Sequence, residues 1–254
     1  MKAFRILNKS CFLKRLFYKT LWALPEGKIK RWALARSSAN DIREALNESI
    51  SPDSTVLYIG ANDGFSGSCL AEFLWRFRKT LTAVLVEPGA EAFLRLSKNY
   101  VDKGYANVTL VKAAVVQATL SEASLVKLFK TTAKLTRASA LYDQMASLKP
   151  EHVIAHSKHF ANTTEVTFEA VPTVTMFQLL GDFSPDVVVM DVEGLEYDLL
   201  KDLVWTKSLP RLVVFEHCHL TEVRRRSILE ILQQHGYTVT FSCDTANAIC
   251  RKNL

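Results

Sequence analysis

Hydrophobic and polar positions alternate between two rhythms along this chain. Short apolar runs, rich in β-branched residues, read as strands: STVLYIG (54–60), LTAVLVE (81–87), NVTLVKAAVV (107–116), DVVVMD (186–191) and RLVVFEH (211–217). Between them, apolar residues recur every three or four positions, which predicts helices over FSGSCLAEFLWRFRK (65–79), GAEAFLRLSKNYV (89–101), LEYDLLKDLVW (195–205) and TEVRRRSILEILQQHG (221–236). Strands apolar on both faces and separated by helices predict a parallel sheet covered on both sides. A further helix is expected over SSANDIREALNESI, opened by a Ser or Asn cap and closed before Pro52. The rhythm breaks between about 120 and 180. There SLVKLFK and TEVTFEAVPTVTM alternate as antiparallel strands do, with ALYDQMASLKPEHVIAHSKHF as loop or helix between them. YTVTFS and NAICRK close the chain as an antiparallel pair. The pattern predicts a doubly wound α/β sheet with a β-rich insertion.

Such sheets bind ligands beyond the carboxyl ends of their strands, so the residues that end each run carry the functional reading. The first run ends in YIGANDGFSG, with Gly60, Gly64 and Gly67. The second ends at Glu87-Pro88, the third contains Lys112-Ala113-Ala114, the fourth ends in Asp191-Val192-Glu193-Gly194 and the fifth at Glu216-His217. Carboxylates at several such ends are costly unless something uses them. A glycine turn after one strand with an acid ending the next is how α/β proteins seat an adenosine, the acid taking the ribose hydroxyls. The glycine pattern is GxxxGxxG, and Glu87 follows Gly60 by 27 residues, where a dinucleotide motif shows GxGxxG and an acid about 20 residues on. A nucleotide-dependent oxidoreductase is therefore the weaker enzyme reading. Asp191, which ends a buried strand pointing at the site, is the first candidate functional side chain, with Glu193 and His217 beside it in this reading. Glu196 reads as a first-turn acid favoured by its helix dipole.

VLYIGANDGFSG, VLVEPGAEAFLRL, VPTVTMFQLL, PDVVVMDVEGLEYDLLKDL and RLVVFEH, in that order, resemble the FkbM-type S-adenosylmethionine-dependent methyltransferases, from about residue 54 to 245. The resemblance implies the class I methyltransferase fold, a Rossmann-like seven-stranded, mostly parallel sheet whose last strand is antiparallel. It implies S-adenosylmethionine as cofactor and methyl transfer to a hydroxyl of a sugar, glycolipid or related small-molecule acceptor. For such a transfer Asp191 is the first candidate to orient cofactor or acceptor, and Glu193 and His217 are rival bases for the hydroxyl. By position, Gly60, Ala61, Asn62 and Gly64 would line the methionine end, Glu87 with Pro88 beside it would hold the ribose, and Ala113 and Ala114 would sit near the adenine. One position departs from the family pattern: the acid two residues before the first glycine is Tyr58 here, and Asp63 inside the turn is a candidate substitute. That departure keeps a third reading open, a catalytically silent cofactor cleft acting as a binding module at a membrane surface. The acceptor would be shaped by the insertion, with Lys127, Lys130, Arg137, Tyr142, His152, His156 and His159, and no code reads it.

Charge changes the picture at one end only. The net +6 is concentrated in residues 1–36, where ten basic residues face Glu26 alone, a net of +9 that leaves about −3 for the remaining 218. The domain, expected over 37–254, thus offers no basic face for nucleic acid. In the arm, Phe4, Leu7, Cys11, Tyr18 and Trp22 form one helical stripe flanked by Lys14, Arg15 and Lys19. Such a segment packs on the domain, rests on anionic lipid or serves as a cleaved presequence. Five cysteines without a CxxC pair point to free thiols in a reducing compartment, hence a cytoplasmic protein, in contact with the inner membrane surface if the arm binds lipid. No metal is expected. Consecutive residues on a strand face opposite ways, so His217, Cys218 and His219 would not converge, and Asp191 with Glu193 would suit Mg²⁺ without further support.

Overall fold

The structure is a computed structural model that describes residues 40–66, 68–101, 103–120, 124–131, 146–157, 166–203, 209–242 and 246–253. The basic arm, Arg137, Tyr142 and His159 lie outside these residues, as does the side chain of His156.

Helix α1 occupies 40–49. After it come β1 (Thr55–Ile59), α2 (Ala71–Arg76), β2 (Thr82–Val86), α3 (Ala90–Tyr100), β3 (Asn107–Val111), β4 (Ala114–Val116) and β5 (Leu125–Thr131). The chain continues through α4 (Pro150–Ser157), β6 (Val166–Thr175), α5 (Met176–Leu180), β7 (Val187–Met190), α6 (Glu196–Asp202), β8 (Leu212–Glu216), α7 (Glu222–Gln234), β9 (Tyr237–Phe241) and β10 (Asn247–Lys252). Seven strands form the main sheet in the order β3-β2-β1-β7-β8-β10-β9, all neighbours parallel except around β10. This is the mostly parallel, doubly wound sheet with an antiparallel last strand that the sequence implied. A smaller sheet, β4-β6-β5, holds the insertion.

Strand alternation divides the core in two. Leu57, Ile59, Val188, Met190, Val213 and Phe215 face α5, α6 and α7, which contribute Met176, Leu180, Leu199, Leu200, Ile228 and Leu232. Val56, Tyr58, Val187, Val189, Leu212 and Val214 face α1, α2 and α3, where Ala45, Leu46, Phe73, Leu74, Leu96 and Tyr100 lie. Because β1, β7 and β8 bury both faces, nearly every residue in them is apolar, which is why they read as unbroken runs.

Three expectations shift. The run 107–116 is two strands: β3 is a half-exposed edge, the chain leaves the sheet at Lys112, and buried Ala114–Val116 pair with β6 in the smaller sheet. The helix predicted from 65 begins only at Ala71. Asp63 Oδ1 accepts the Phe65 and Ser66 N–H groups at 2.8 and 2.6 Å, and Ser68 Oγ accepts the Leu70 N–H at 3.2 Å, so side chains hold the backbone in turns. Helix α5 was not anticipated, although its start is a capping box. Thr175 Oγ1 accepts from Gln178 N at 3.1 Å, and Gln178 Oε1 accepts from Thr175 N at 2.9 Å.

Candidate active site

The direction of strand winding reverses between β1 and β7, and the carboxyl ends of both strands open into a cleft of about 880 Å³ measured out to its mouth. One wall comes from the sheet: Tyr58, Gly60, Asn62, Glu87, Asp191 and Glu193. The other comes from Ala113–Val115, which precede the insertion, and from Leu128 and Ala146–Leu148 within it.

Gly60 explains how the two central strands can end so close together. Its φ is +81°, and a Cβ on it would run into the carbonyl oxygen of Asp191. The backbone that comes so near is thus the end of β7, and the cleft forms where both strands turn away from that contact. Gly60 N and Ala61 N both donate to Val86 O at 3.0 Å, tying the turn to β2 as well. Asn62 follows with φ +49°, uncommon for a residue with a side chain.

Glu87 is 7% exposed and braces this turn. Its Oε2 accepts from Asn62 N at 2.9 Å and its Oε1 from Gly89 N at 2.8 Å. Burial raises its carboxyl to about 7, against the two N–H groups that favour the charged form. Each oxygen keeps a lone pair for a ligand hydroxyl. Tyr58 lies on the cleft floor within the core, and burial pushes its phenol well above the ordinary value. It therefore supplies no negative charge where the family pattern has an acid. Nor does Asp63. Its Oδ2 accepts from Ser66 Oγ at 2.6 Å, and these Ser66 and Phe65 contacts outweigh burial and lower its carboxyl below the usual range. Asp63 is a loop cap outside the cleft.

Across the floor, the loop after β7 is bent by two consecutive left-handed residues, Glu193 (φ +53°) and Gly194 (φ +98°). Glu196, fully buried, holds the bend: Oε1 accepts from Val192 N at 3.1 Å and Oε2 from Gly194 N at 2.9 Å. It stands in the first turn of α6, as the sequence suggested, and from there clamps the loop. Replacing Glu196 with Gln removes one acceptor, and about 1–3 kcal/mol of stability should go with it, read by denaturant unfolding.

Asp191 opens to the cleft while protein surrounds its other sides, and burial followed by repulsion from Glu216 raises it to about 6. Burial, then the charges of Asp191 and Glu216, raise Glu193 to about 8. His219 stands between the acids, its Nε2 3.4 Å from Glu193 Oε2 and 3.4 Å from Glu216 Oε2. Hydrogen bonding to Cys218 and Glu216 raises its imidazole to about 11.

Of the residues singled out from sequence, Gly60, Asn62, Glu87, Pro88, Ala113, Ala114, Asp191 and Glu193 line the cleft. Ala61 is buried in the core, and Gly64 packs beneath the ring of Tyr100, whose hydroxyl donates to Gly64 O at 2.8 Å; neither lines the cleft. His217 is corrected as a candidate base. It is 5% exposed, its ring packs on Phe241 with centroids 4.7 Å apart, and it does not line the cleft. The residue that reaches the acids is His219. Strand β8 ends at Glu216 and Thr221 already caps α7, its side chain accepting from Arg224 N, so residues 217–220 must turn. The Thr221-Glu222 start signal was the clue to this, and it was legible. Ser147 and Leu148, also missed, come from a segment with no strong periodicity, as does His152, which the sequence offered only as one of several insertion residues on the acceptor side.

Residues 59–239 match the family model of the methyltransferase FkbM domain. No curated protein matches the chain. Among solved structures, the chain is similar to a methyltransferase FkbM from Methylobacillus flagellatus KT, at 14% identity and a TM-score of 0.47 over 80% of this chain and 44% of that one. It is also similar to the precorrin-6y C5,15-methyltransferase from Geobacter metallireducens GS-15, at 14% identity and 0.41 over 80% and 71%. A third likeness is to an rRNA methylase from Streptococcus thermophilus, at 9% identity and 0.40 over 91% and 100%. The chain thus spans less than half of the Methylobacillus protein. The match over residues 59–239 places this chain in the FkbM methyltransferase family, whose class I fold takes S-adenosylmethionine as cofactor.

Proposed function

We propose that this protein methylates a hydroxyl oxygen of a small-molecule or glycan acceptor. The observation that carries the reading is that one cleft joins a neutral, glycine- and alanine-lined half containing Glu87 to an acidic half containing Asp191 and Glu193. S-adenosylmethionine, when bound, supplies an electrophilic methyl group on a sulfonium. Glu87 would accept from the ribose hydroxyls, backbone at Gly60 and Asn62 would meet the methionine end, and Ala113 and Ala114 would leave room for the adenine. Asp191, open to the cleft from the end of β7, would orient the acceptor hydroxyl and take its proton. The wall from Ala146 to Leu148 faces the acceptor.

The test incubates the full chain with labelled cofactor and glycolipid, glycan and small-molecule extracts. The expected result is label on an acceptor oxygen, with S-adenosylhomocysteine released. Label on nitrogen or carbon, or calorimetric binding of NAD without S-adenosylhomocysteine, would refute the proposal.

Glu87 gives two further expectations. Glu87→Ala should weaken S-adenosylhomocysteine binding by about 1–3 kcal/mol, read by calorimetry, through loss of a charge-assisted ribose contact. Affinity in the wild type should rise as pH climbs toward about 7, where Glu87 ionises, and level off above it. The sign for folding is opposite. The folded protein holds this proton more tightly than the unfolded chain, so Glu87's contribution to stability falls as pH rises from about 4.5 to about 7. Glu87→Gln should flatten both slopes.

A further inference from the structure

The acidic half of the cleft continues into a cluster that methyl transfer by positioning alone does not require. Three segments distant in sequence converge there: the loop after β7 brings Glu193, the end of β8 and the turn after it bring Glu216 and His219, and α4 brings His152. Donor atoms of His152, Glu193 and His219 all lie within 4.8 Å of one another, as do those of Asp191, Glu193 and Glu216. The His152 and His219 rings meet edge to face with centroids 5.4 Å apart. The two 3.4 Å separations of His219 Nε2 from Glu193 Oε2 and Glu216 Oε2 are long for charge-assisted hydrogen bonds. They match the ~3.4 Å edge of a tetrahedron whose metal–ligand bonds are ~2.1 Å.

The backbone is built around this convergence. Gly194 has no Cβ where the His152 ring lies, so the imidazole can sit directly over the bend. Lys149 Nζ donates to Gly194 O at 2.6 Å and Ser147 Oγ to Glu193 O at 3.2 Å, fixing the start of α4 to the loop that carries the carboxylate. Glu193 itself holds a left-handed φ, a conformation that costs free energy and concentrates at functional sites. A loop kept in that shape by Glu196, Lys149 and Ser147 together aims one carboxylate between two imidazoles.

We infer that His152, Glu193 and His219, with Glu216 as a fourth donor, bind one divalent transition metal at the acceptor end of the cleft. Two imidazoles with carboxylates select zinc, cobalt, iron or manganese over magnesium, whose preference is for oxygen alone. The metal would sit beside Asp191, where an acceptor hydroxyl bound to it loses its proton more readily. That role rests on the proposed methyl transfer to oxygen; the binding does not.

The full chain, stripped with chelator, is titrated with Co²⁺ in the absence of cofactor and acceptor. The expected result is a visible d–d absorption band that saturates at one metal per chain and is displaced by Zn²⁺ but not by equimolar Mg²⁺. His152→Gln and His219→Gln should each weaken Co²⁺ binding about tenfold or more, while S-adenosylhomocysteine affinity stays within a few-fold. Should either variant fail to fold, X-ray absorption of the zinc-loaded wild type decides, and a shell with two imidazoles is expected. The inference is overturned by absence of stoichiometric binding, which would mean that the charge of His219 alone satisfies the carboxylates. It is equally overturned by binding that both variants retain, by a zinc shell of oxygen only, or by Mg²⁺ competing as well as Zn²⁺. Since this titration uses no methyl donor, a failure of the methyltransferase assay leaves its result standing, and the converse also holds.

Discussion

Asp191→Asn should slow methyl transfer by ~10²–10⁴-fold, the range contributed by a positioned general base. The amide keeps the shape of the side chain but cannot take the acceptor's proton. Asp191 projects from the end of β7 into the cleft, and the bend that follows it is held by Glu196, not by Asp191 itself. Its backbone N–H, which donates to Ile59 O at 3.0 Å, is untouched by the change. Melting temperature and S-adenosylhomocysteine affinity should therefore stay close to wild type while S-adenosylhomocysteine release with acceptor collapses. A variant that melts early and retains turnover would make Asp191 a structural residue and return the base to Glu193.

The largest effect on stability should come from Gly60→Ala. A methyl group there meets the Asp191 carbonyl, which belongs to the neighbouring strand and cannot swing aside as a side chain would. The left-handed φ of +81° adds its own penalty of roughly 1–2 kcal/mol for an alanine, and steric overpacking adds roughly 1–3 kcal/mol. Together they predict a loss of about 2–5 kcal/mol and a melting point lower by roughly 5–15 °C in a domain of this size. The two strands would have to part at the point where the cleft begins, so S-adenosylhomocysteine binding should fall as well. Scanning calorimetry with and without the ligand reads both.

The sheet was legible because its central strands are buried on both faces, so β1, β7 and β8 could only be written as continuous apolar runs. Strand ends were legible for the same reason: Glu87 after β2 and Asp191 after β7 stand out as acids where apolar residues stop. What sequence did not carry was which way a residue turns once the strand has ended. His217 and His219 are equivalent on paper, and only the tight turn between Glu216 and the Thr221 cap sends the first against Phe241 and the second to the acids. Glu196 and Glu193 also look alike. Their roles separate because the bend at Glu193-Gly194 leaves two N–H groups that Glu196 accepts. The wall at Ala146–Leu148 was invisible because, among the described residues, it joins the smaller sheet through one isolated bridge, Ser147 to Phe129, too short to leave a periodic trace.

The fastening of Ser147, Lys149 and His152 to the Glu193-Gly194 bend has a consequence for how such an enzyme diversifies. The half of the cleft proposed to hold the methyl donor is made by the ends of sheet strands, whereas the wall at Leu128 and Ala146–Leu148 belongs to an inserted unit that is tied to the bend through Ser147, Lys149 and His152. Acceptor preference can then be exchanged by replacing the insertion, provided the graft brings its own partners for that bend. A chimera carrying a foreign insertion without equivalents of these three side chains should still bind the donor and turn over no acceptor. Restoring the three together, with glycine kept at 194, is the smallest change that would make the graft part of a working active site.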